Sequence, residues 1–270
     1  MNKTIEAPQI AKEKGMTRLV FEDDFDSMDT IDLYGTGKEG YKWYTTRPFR
    51  ARPLDPDDVK VENSILTVCN KEPTYNWGIA TVNPRTRIGF EFCKGVLEFR
   101  IRIPRPRANI KEDGEEGVPA IWSFPSQKIY DIALEWIEPD WMEYWGDGYY
   151  TTTIHHTKRT TMHDGEGYYK AANWSGHRGP EAFTDGEWHT MTFLWDDGVI
   201  ESWLDGKPAV KQTYYDGKDG SKETEPKVRF TKGEYSDDVF TPLNTVPQAL
   251  ILGGSWCNPL EIDWIRVWQR

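Results

Sequence analysis

The chain has 270 residues, 37% of them hydrophobic, and carries a net charge of −11 without a long basic run. That charge argues against nucleic acid and anionic membranes as partners, and no apolar stretch of 18 residues predicts a membrane-spanning helix. The three cysteines, Cys69, Cys93 and Cys257, are too few and too widely spaced for a disulfide framework or a zinc motif. The alternative of one disulfide and one free thiol is not decided by the sequence.

Residues 1–15 are predicted to form a polar arm without the apolar run of a signal peptide, and residues 16–270 a single domain. Short apolar or alternating runs follow, and long helical patterns are nearly absent, which favours a β-sandwich or barrel. The predicted strands cover residues 18–21, 59–70 (a hairpin), 95–103, 118–124, 131–144, 149–156, 188–195, 199–204, 249–252 and 261–269. Residues 104–117 and 214–238 are predicted as long loops, which either shape a binding site or are mobile.

Aromatic residues make up 14% of the chain and include 13 tryptophans. Some of them must fill the core, but tryptophan is a costly filler because its N–H needs a partner when buried. Flat apolar rings suit the C–H faces of sugar rings. The composition therefore favours an aromatic-lined groove for a neutral carbohydrate.

Three carboxylates lie in the run from Glu138 to Glu143, which reads EPDWME. Glu138 and Asp140 share one face of a strand, whereas Glu143 would face the other way in a regular strand. A β-bulge near Trp141 and Met142 restores the phase, because a bulge inserts one unpaired residue. The spacing predicts a bulged strand with all three acids on one face; the alternative is a solvated acidic stretch.

Clustered carboxylates raise the pKa of at least one member. Glycoside cleavage needs such a set, since one carboxylic acid must stay protonated near neutral pH while another, ionised, attacks or activates water. A third acid between them can tune both. The run therefore indicates a glycosidase site from the residues alone.

The run also resembles the Glu-x-Asp-x-x-Glu signature of glycoside hydrolase family 16, in its bulged laminarinase and agarase branch. The resemblance extends from about residue 18 to the end, through segments in the family's order: 19–26, 59–68, 95–103, 117–122, 185–190 and 262–269. It implies an all-β, concanavalin-like jelly-roll sandwich with a concave substrate groove. It also implies a retaining endo-hydrolase of β-1,3- or mixed-linkage β-1,3/1,4-glucan, or alternatively of an agar- or carrageenan-type β-galactan.

The resemblance assigns each acid a role. It makes Glu138 the nucleophile, Glu143 the acid/base and Asp140 the assisting acid. Pro139 departs from the family, which usually has a β-branched or apolar residue there. Because proline donates no N–H and normally avoids central strands, we expect a distorted strand or an unpaired side at this position.

Further positions are expected to contact the sugar, each with a core or purely structural role as its alternative. They are Trp122, Trp141 and Trp145 around the acids, His155 in preference to His156, Trp174 in a predicted Asn-Trp-Ser-Gly loop, and Arg47 and Trp77, with Tyr44, on early loops. Asp263 matches the family's side-chain ligand for a structural calcium ion, which would use oxygen ligands.

We expect no cofactor for catalysis and a polysaccharide or oligosaccharide as the partner of a monomeric protein. The resemblance implies a secreted or cell-surface location. Two alternatives remain. A non-catalytic carbohydrate-binding jelly roll would not need both glutamates, and a transglycosylase would share the covalent intermediate but exclude water.

Overall fold

The computed structural model describes residues 5–45, 55–69, 78–83, 85–104, 118–129, 135–144, 146, 148–160, 168–197, 199–213, 229–232, 245–254 and 258–270. The helices described there are α1 (Gln9–Glu13), α2 (Ser126–Ile129) and 3-10 turns at Met28–Thr30 and Pro56–Asp58, and Thr245 is helical as well. No helix in these ranges has the length and apolar character needed to cross a membrane.

The strands, in chain order, are β1 (Arg18–Asp23), β2 (Ile31–Asp32), β3 (Trp43–Thr45), β4 (Val59–Glu62), β5 (Ile65–Val68), β6 (Ile79–Ala80), β7 (Gly95–Arg102), β8 (Ala120–Pro125), β9 (Glu135–Tyr144), β10 (Tyr149–Thr160), β11 (Tyr168–Glu181), β12 (His189–Asp196), β13 (Val199–Leu204), β14 (Lys207–Thr213), β15 (Arg229–Lys232), β16 (Gln248–Gly253) and β17 (Leu260–Gln269). They form two sheets. The eight-stranded sheet has the order β14-β13-β12-β7-β17-β5-β4, with β1 also paired to β17. The nine-stranded sheet has the order β15-β11-β10-β9-β8-β16-β6-β3-β2.

The two sheets pack face to face around one apolar core, as alternation in the sequence predicts. In β7, for example, Phe99 and Ile101 are buried while the intervening Arg100 is half-buried. The β4–β5 hairpin closes through Asn63 and Ser64, which both have positive φ, 55° and 57°. Two such residues form the turn whose twist matches a two-residue hairpin. The all-β sandwich prediction is confirmed.

Each predicted strand has a counterpart among the described residues, but the structure adds others. The segment 214–238, predicted as a loop, contains β15, which pairs with β11. Strand β11 runs for 14 residues and includes the Asn-Trp-Ser-Gly segment around Trp174 that was predicted as a loop. Both belong to the nine-stranded sheet and extend it beyond β10.

The N-terminal segment lies against the outer face of the eight-stranded sheet. Ala11 of α1 and Met16 are buried, and they pack in a small cluster with Val96, Leu194 and Trp268. The described part of the predicted polar arm is thus attached to the sandwich through its few apolar side chains.

Candidate active site

Strand β9 contains the bulge that the spacing of the acids requires. Its register with β8 pairs Ile121 with Met142 and then Trp122 with Asp140, so that Trp141 is the extra residue. The register with β10 shifts at the same place. One inserted residue reverses the alternation of side chains, and Glu143 therefore regains the phase of Asp140.

The side chains of β9 divide cleanly between the two faces of the nine-stranded sheet. Those buried in the core between the sheets are Ile137, Trp141, Met142 and Tyr144. Glu138, Asp140 and Glu143 alternate with these residues and lie on the opposite, outer face of the sheet. The outer face thus carries all three acids along one strand.

Asp140 is the centre of the acid cluster and is only 5% exposed. Its Oδ2 lies 3.0 Å from Nε2 of His155, whose side chain is 35% exposed. Ligand-type atoms of Asp140, Glu143 and His155 all lie within 4.8 Å of one another. His155 is also directly opposite Glu138 in the β9–β10 register. One imidazole therefore lies beside the whole acid set.

Burial changes the acidity of two members of the cluster. It raises the pKa of Asp140 well above its usual value, and the negative charge of Glu143 raises it further. Burial also raises the pKa of Glu143, against the opposing effects of the His155 charge and of hydrogen bonds from Thr153 and Thr151. The Thr151 hydroxyl donates to Glu143 Oε2 over 3.4 Å. The arrangement favours a protonated carboxylic acid on this face.

Pro139 is accommodated within β9 without ending the strand. It is buried and pairs with Ile154 of β10, in a register that runs unbroken from Glu138 to Asp140. The pairs that join β9 to β8 end at Asp140. Proline therefore occupies the position where pairing on the β8 side stops, which is where a missing N–H is tolerated.

A single row of directly paired residues crosses all nine strands of this sheet through Asp140. From edge to edge the row is Asp32, Tyr44, Ala80, Ile251, Trp122, Asp140, Thr153, Gly176 and Arg229. Paired residues in a sheet share a face. The row therefore identifies, in every strand of the sheet, one residue that faces the same side as Asp140.

Trp122 lies on this outer face, next to the acids. It is directly opposite Asp140, is 8% exposed, and meets Phe124 edge to face with ring centroids 5.2 Å apart. Both rings belong to a small apolar cluster on the outer face, distinct from the main core. This placement agrees with a sugar-contacting surface at Trp122, which stays a prediction.

The expected sugar contact at Trp141 is wrong. Its ring is fully buried between the sheets, 5.7 Å from Phe193 and 5.9 Å from Trp195 between centroids. Its Nε1 donates to the Ser123 hydroxyl over 2.6 Å, which satisfies the buried N–H. The bulge turns both Trp141 and Met142 inward, because the extra residue keeps the core-facing direction.

The remaining candidates are only partly placed. Trp174 lies in β11 directly opposite His155, so the predicted loop is wrong and only its backbone position is described. Arg47, Trp77 and Trp145 lie outside the described residues. Tyr44 is fully buried, at its place in the row given above.

Asp263, the expected calcium ligand, lies beside an arginine. A register shift between Ile262 and Trp264 brackets it in β17, and its Oδ2 accepts a charge-assisted hydrogen bond from Arg100 Nη1 over 2.5 Å. The guanidinium thus engages one of the two carboxylate oxygens. The calcium site at this side chain stays a prediction.

Thr151 and Thr153 belong to the site but were not singled out in the sequence. They lie on β10 at two-residue spacing before His155, so all three share the face of the acids. The two-residue spacing of Thr151, Thr153 and His155 could have indicated that they share a face. Assigning that face to the acids would have required knowing which face of β10 is buried.

Comparisons with known proteins agree on the fold. No protein-family model matches the sequence, and no similar sequence was found among curated proteins. A laminarinase from Flavobacterium sp. UMI-01 superposes with a TM-score of 0.56 at 16% identity, covering 93% of this chain and 100% of that one. SCLam, a non-specific endo-β-1,3(4)-glucanase of family GH16, gives 0.53 at 21%, covering 93% and 91%.

A GlcNAcα1-4Gal-releasing endo-β-galactosidase from Clostridium perfringens gives a TM-score of 0.52 at 15% identity, covering 93% of this chain and 62% of that one. Its activity differs from those of the two glucan-degrading enzymes, so the shared architecture does not depend on one substrate. The described strands thus have the jelly-roll fold of these glycosidases, with the bulged carboxylate strand in the nine-stranded sheet.

Proposed function

We propose that this chain is an endo-acting, retaining glycoside hydrolase that cleaves a β-linked glucan with β-1,3 or mixed β-1,3/1,4 linkages. The observation that carries the proposal is the bulge at Trp141 in β9, which aligns Glu138, Asp140 and Glu143 on one face. A buried acidic cluster is costly in a purely structural role. The cluster lies on the outer face beside Trp122, where a sugar chain could reach it, and this favours a catalytic role.

In the first step Glu138, ionised, attacks the anomeric carbon and forms a glycosyl ester. Glu143, protonated, gives its proton to the glycosidic oxygen as the bond to the leaving sugar breaks. The raised pKa of Glu143 suits this role, since burial keeps the carboxylic acid protonated to higher pH than a free glutamate. The leaving chain departs with a new hydroxyl group.

In the second step Glu143, now a carboxylate, takes a proton from water, and the water oxygen attacks the anomeric carbon. The ester to Glu138 breaks, and the product retains the β configuration. Asp140 lies between the two glutamates along the strand and is held by His155 at 3.0 Å. Its own raised pKa makes it a proton-bearing neighbour that limits the negative charge of the cluster.

The substrate class rests on composition and on the structural neighbours. The net charge of −11 favours a neutral polymer over a sulfated one. Two of the neighbours named above are glucan-degrading enzymes by their descriptions, whereas the third is an endo-β-galactosidase. A β-galactan is therefore the second arm of the test. Because the substrate is a polymer, the proposal includes a secreted or cell-surface location for the enzyme.

The test is release of reducing ends from laminarin, lichenan and agarose by the wild type and by Glu143→Gln. We expect the wild type to release reducing ends from laminarin, lichenan or both, and Glu143→Gln to lose nearly all of that activity while still binding the polymer. Glu62→Gln is the matched control, because this exposed glutamate lies in the β4–β5 hairpin and pairs only with Lys60 among the described contacts. It should keep full activity.

Three outcomes would contradict the proposal. Wild-type protein that binds these glycans and releases nothing would indicate a carbohydrate-binding module. Cleavage of agarose alone would move the substrate to β-galactan. Long transfer products in place of reducing ends would identify a transglycosylase.

A further inference from the structure

A cavity opens at the β2 edge of the nine-stranded sheet, away from the acids. It has a volume of about 680 Å³, and its lining includes Tyr34, Tyr41, Lys38, Glu39 and Asp29. Tyr34 is 81% exposed, more than any other large hydrophobic side chain in the described ranges. An exposed aromatic ring in the lining of a cavity that holds both apolar and charged side chains is a typical element of a ligand site.

The loop that carries Tyr34 is held in place by Asp32. Its Oδ1 accepts hydrogen bonds from the backbone N–H and the hydroxyl of Thr36, over 2.8 and 2.9 Å, and its Oδ2 accepts from the backbone N–H of Gly37 over 2.6 Å. Gly37 has a φ of 69°, which a residue with a side chain rarely adopts. The position of Tyr34 is therefore preorganised, which lowers the entropic cost of binding.

This cavity is separate from the acid cluster. Asp32 and Asp140 belong to the same row, five strand spacings of about 4.8 Å apart, or about 24 Å. Between them the row passes Tyr44, Ala80 and Ile251, all fully buried. A ligand in the cavity thus occupies its own site and does not lie on the sheet between the two.

The charges of the cavity limit what it can bind. Asp29, Asp32 and Glu39 carry three negative charges, and Lys38 carries one positive charge. This balance disfavours phosphate, sulfate and nucleic acid. A neutral polyhydroxylated ligand suits it, since hydroxyl groups can pair with carboxylate, ammonium and backbone groups while a sugar ring packs its C–H face on the Tyr34 ring.

We infer that this cavity is an accessory site for a neutral glucan chain, with Tyr34 as its stacking platform. The inference rests on the proposed function, because it takes the ligand to be another part of the polymer that the acid cluster cleaves. Two sites that hold one chain raise its effective concentration at each, so the polymer is retained more strongly than either site alone would allow.

The test is native affinity electrophoresis through gels that contain laminarin or lichenan. All variants are made in the Glu143→Gln background, so that the gel is not digested. We expect Tyr34→Ala to weaken retention of the polymer by up to about 10²–10⁴-fold, the gain that a second linked site can give. Tyr34→Phe should keep the retention, because the ring is preserved. Unchanged thermal unfolding of both variants confirms that the fold is intact.

Equal retention of Tyr34→Ala and its parent would overturn the inference, and so would loss of retention in Tyr34→Phe equal to that in Tyr34→Ala. Parent protein that is retarded by neither glucan would also overturn it. Failure of the proposed function appears elsewhere, as wild-type protein that releases no reducing ends, and the two failures are therefore distinguishable.

Discussion

Trp141→Phe tests the assignment of Trp141 to the core. The substitution removes the N–H that bonds the Ser123 hydroxyl at 2.6 Å, and a buried polar group left without its partner costs about 1–3 kcal/mol. The smaller ring also leaves a gap beside Phe193 and Trp195, which adds about 1 kcal/mol. We expect the free energy of unfolding to fall by about 2–4 kcal/mol. Each kcal/mol lowers the Tm by roughly 2–4 °C in a chain of this length.

The assay is urea unfolding followed by circular dichroism, together with kinetics on the folded enzyme. A double-mutant cycle with Ser123→Ala should give a coupling energy of about 1 kcal/mol, since both changes remove the same hydrogen bond. The KM for the glucan should stay close to that of the wild type. Wild-type stability in Trp141→Phe together with a strongly raised KM would refute the core assignment and return Trp141 to the groove.

Three further changes probe the site and the N-terminal segment. His155→Gln removes the charge that lowers the pKa of Glu143. The fall in kcat/KM on the high-pH side of the profile, where Glu143 deprotonates, should therefore move to higher pH, and a shift to lower pH would contradict this. Deleting Met142 removes the bulge and places Glu143 two positions after Asp140, so that regular strand alternation keeps the three acids on one face. Reducing-end assays should therefore detect residual activity. Complete loss of activity in a folded variant would count against the alignment of the acids. Ala11→Asp should lower the free energy of unfolding in urea by about 3 kcal/mol, because it buries a charge against the eight-stranded sheet. Lys14→Asp, at an exposed position of the same segment, is the control. Equal stability of the two variants would show that α1 is not docked.

The bulge was predictable because it follows from counting alone. Glu138 and Glu143 are an odd number of residues apart, and only an inserted residue lets both face the same side. For a similar reason either His155 or His156 was expected on the face of the acids, and the structure has His155 there, beside Asp140; its contact with the sugar stays a prediction. The direction of Trp141 was not predictable, because parity alone does not say which way the extra residue of a bulge turns.

Long-range pairing explains the features that the sequence did not predict. The Asn-Trp-Ser-Gly segment around Trp174 has the composition of a turn, yet β10 and β15 pair on either side of it and keep it extended. Asp263 is held by Arg100, which is 163 residues away along the chain. Local composition carries no signal for partners that only the folded sheets bring together.

The most direct test of the central claim is to trap the covalent intermediate and identify the residue that carries it. A 2-deoxy-2-fluoro-β-laminaribiosyl fluoride forms the glycosyl ester readily, but the fluorine slows its hydrolysis, so the labelled peptide can be sequenced by mass spectrometry. The proposed mechanism predicts a single ester on Glu138. A label on Asp140 or Glu143, or β-glucan hydrolysis that inverts the anomeric configuration without any covalent adduct, would contradict it.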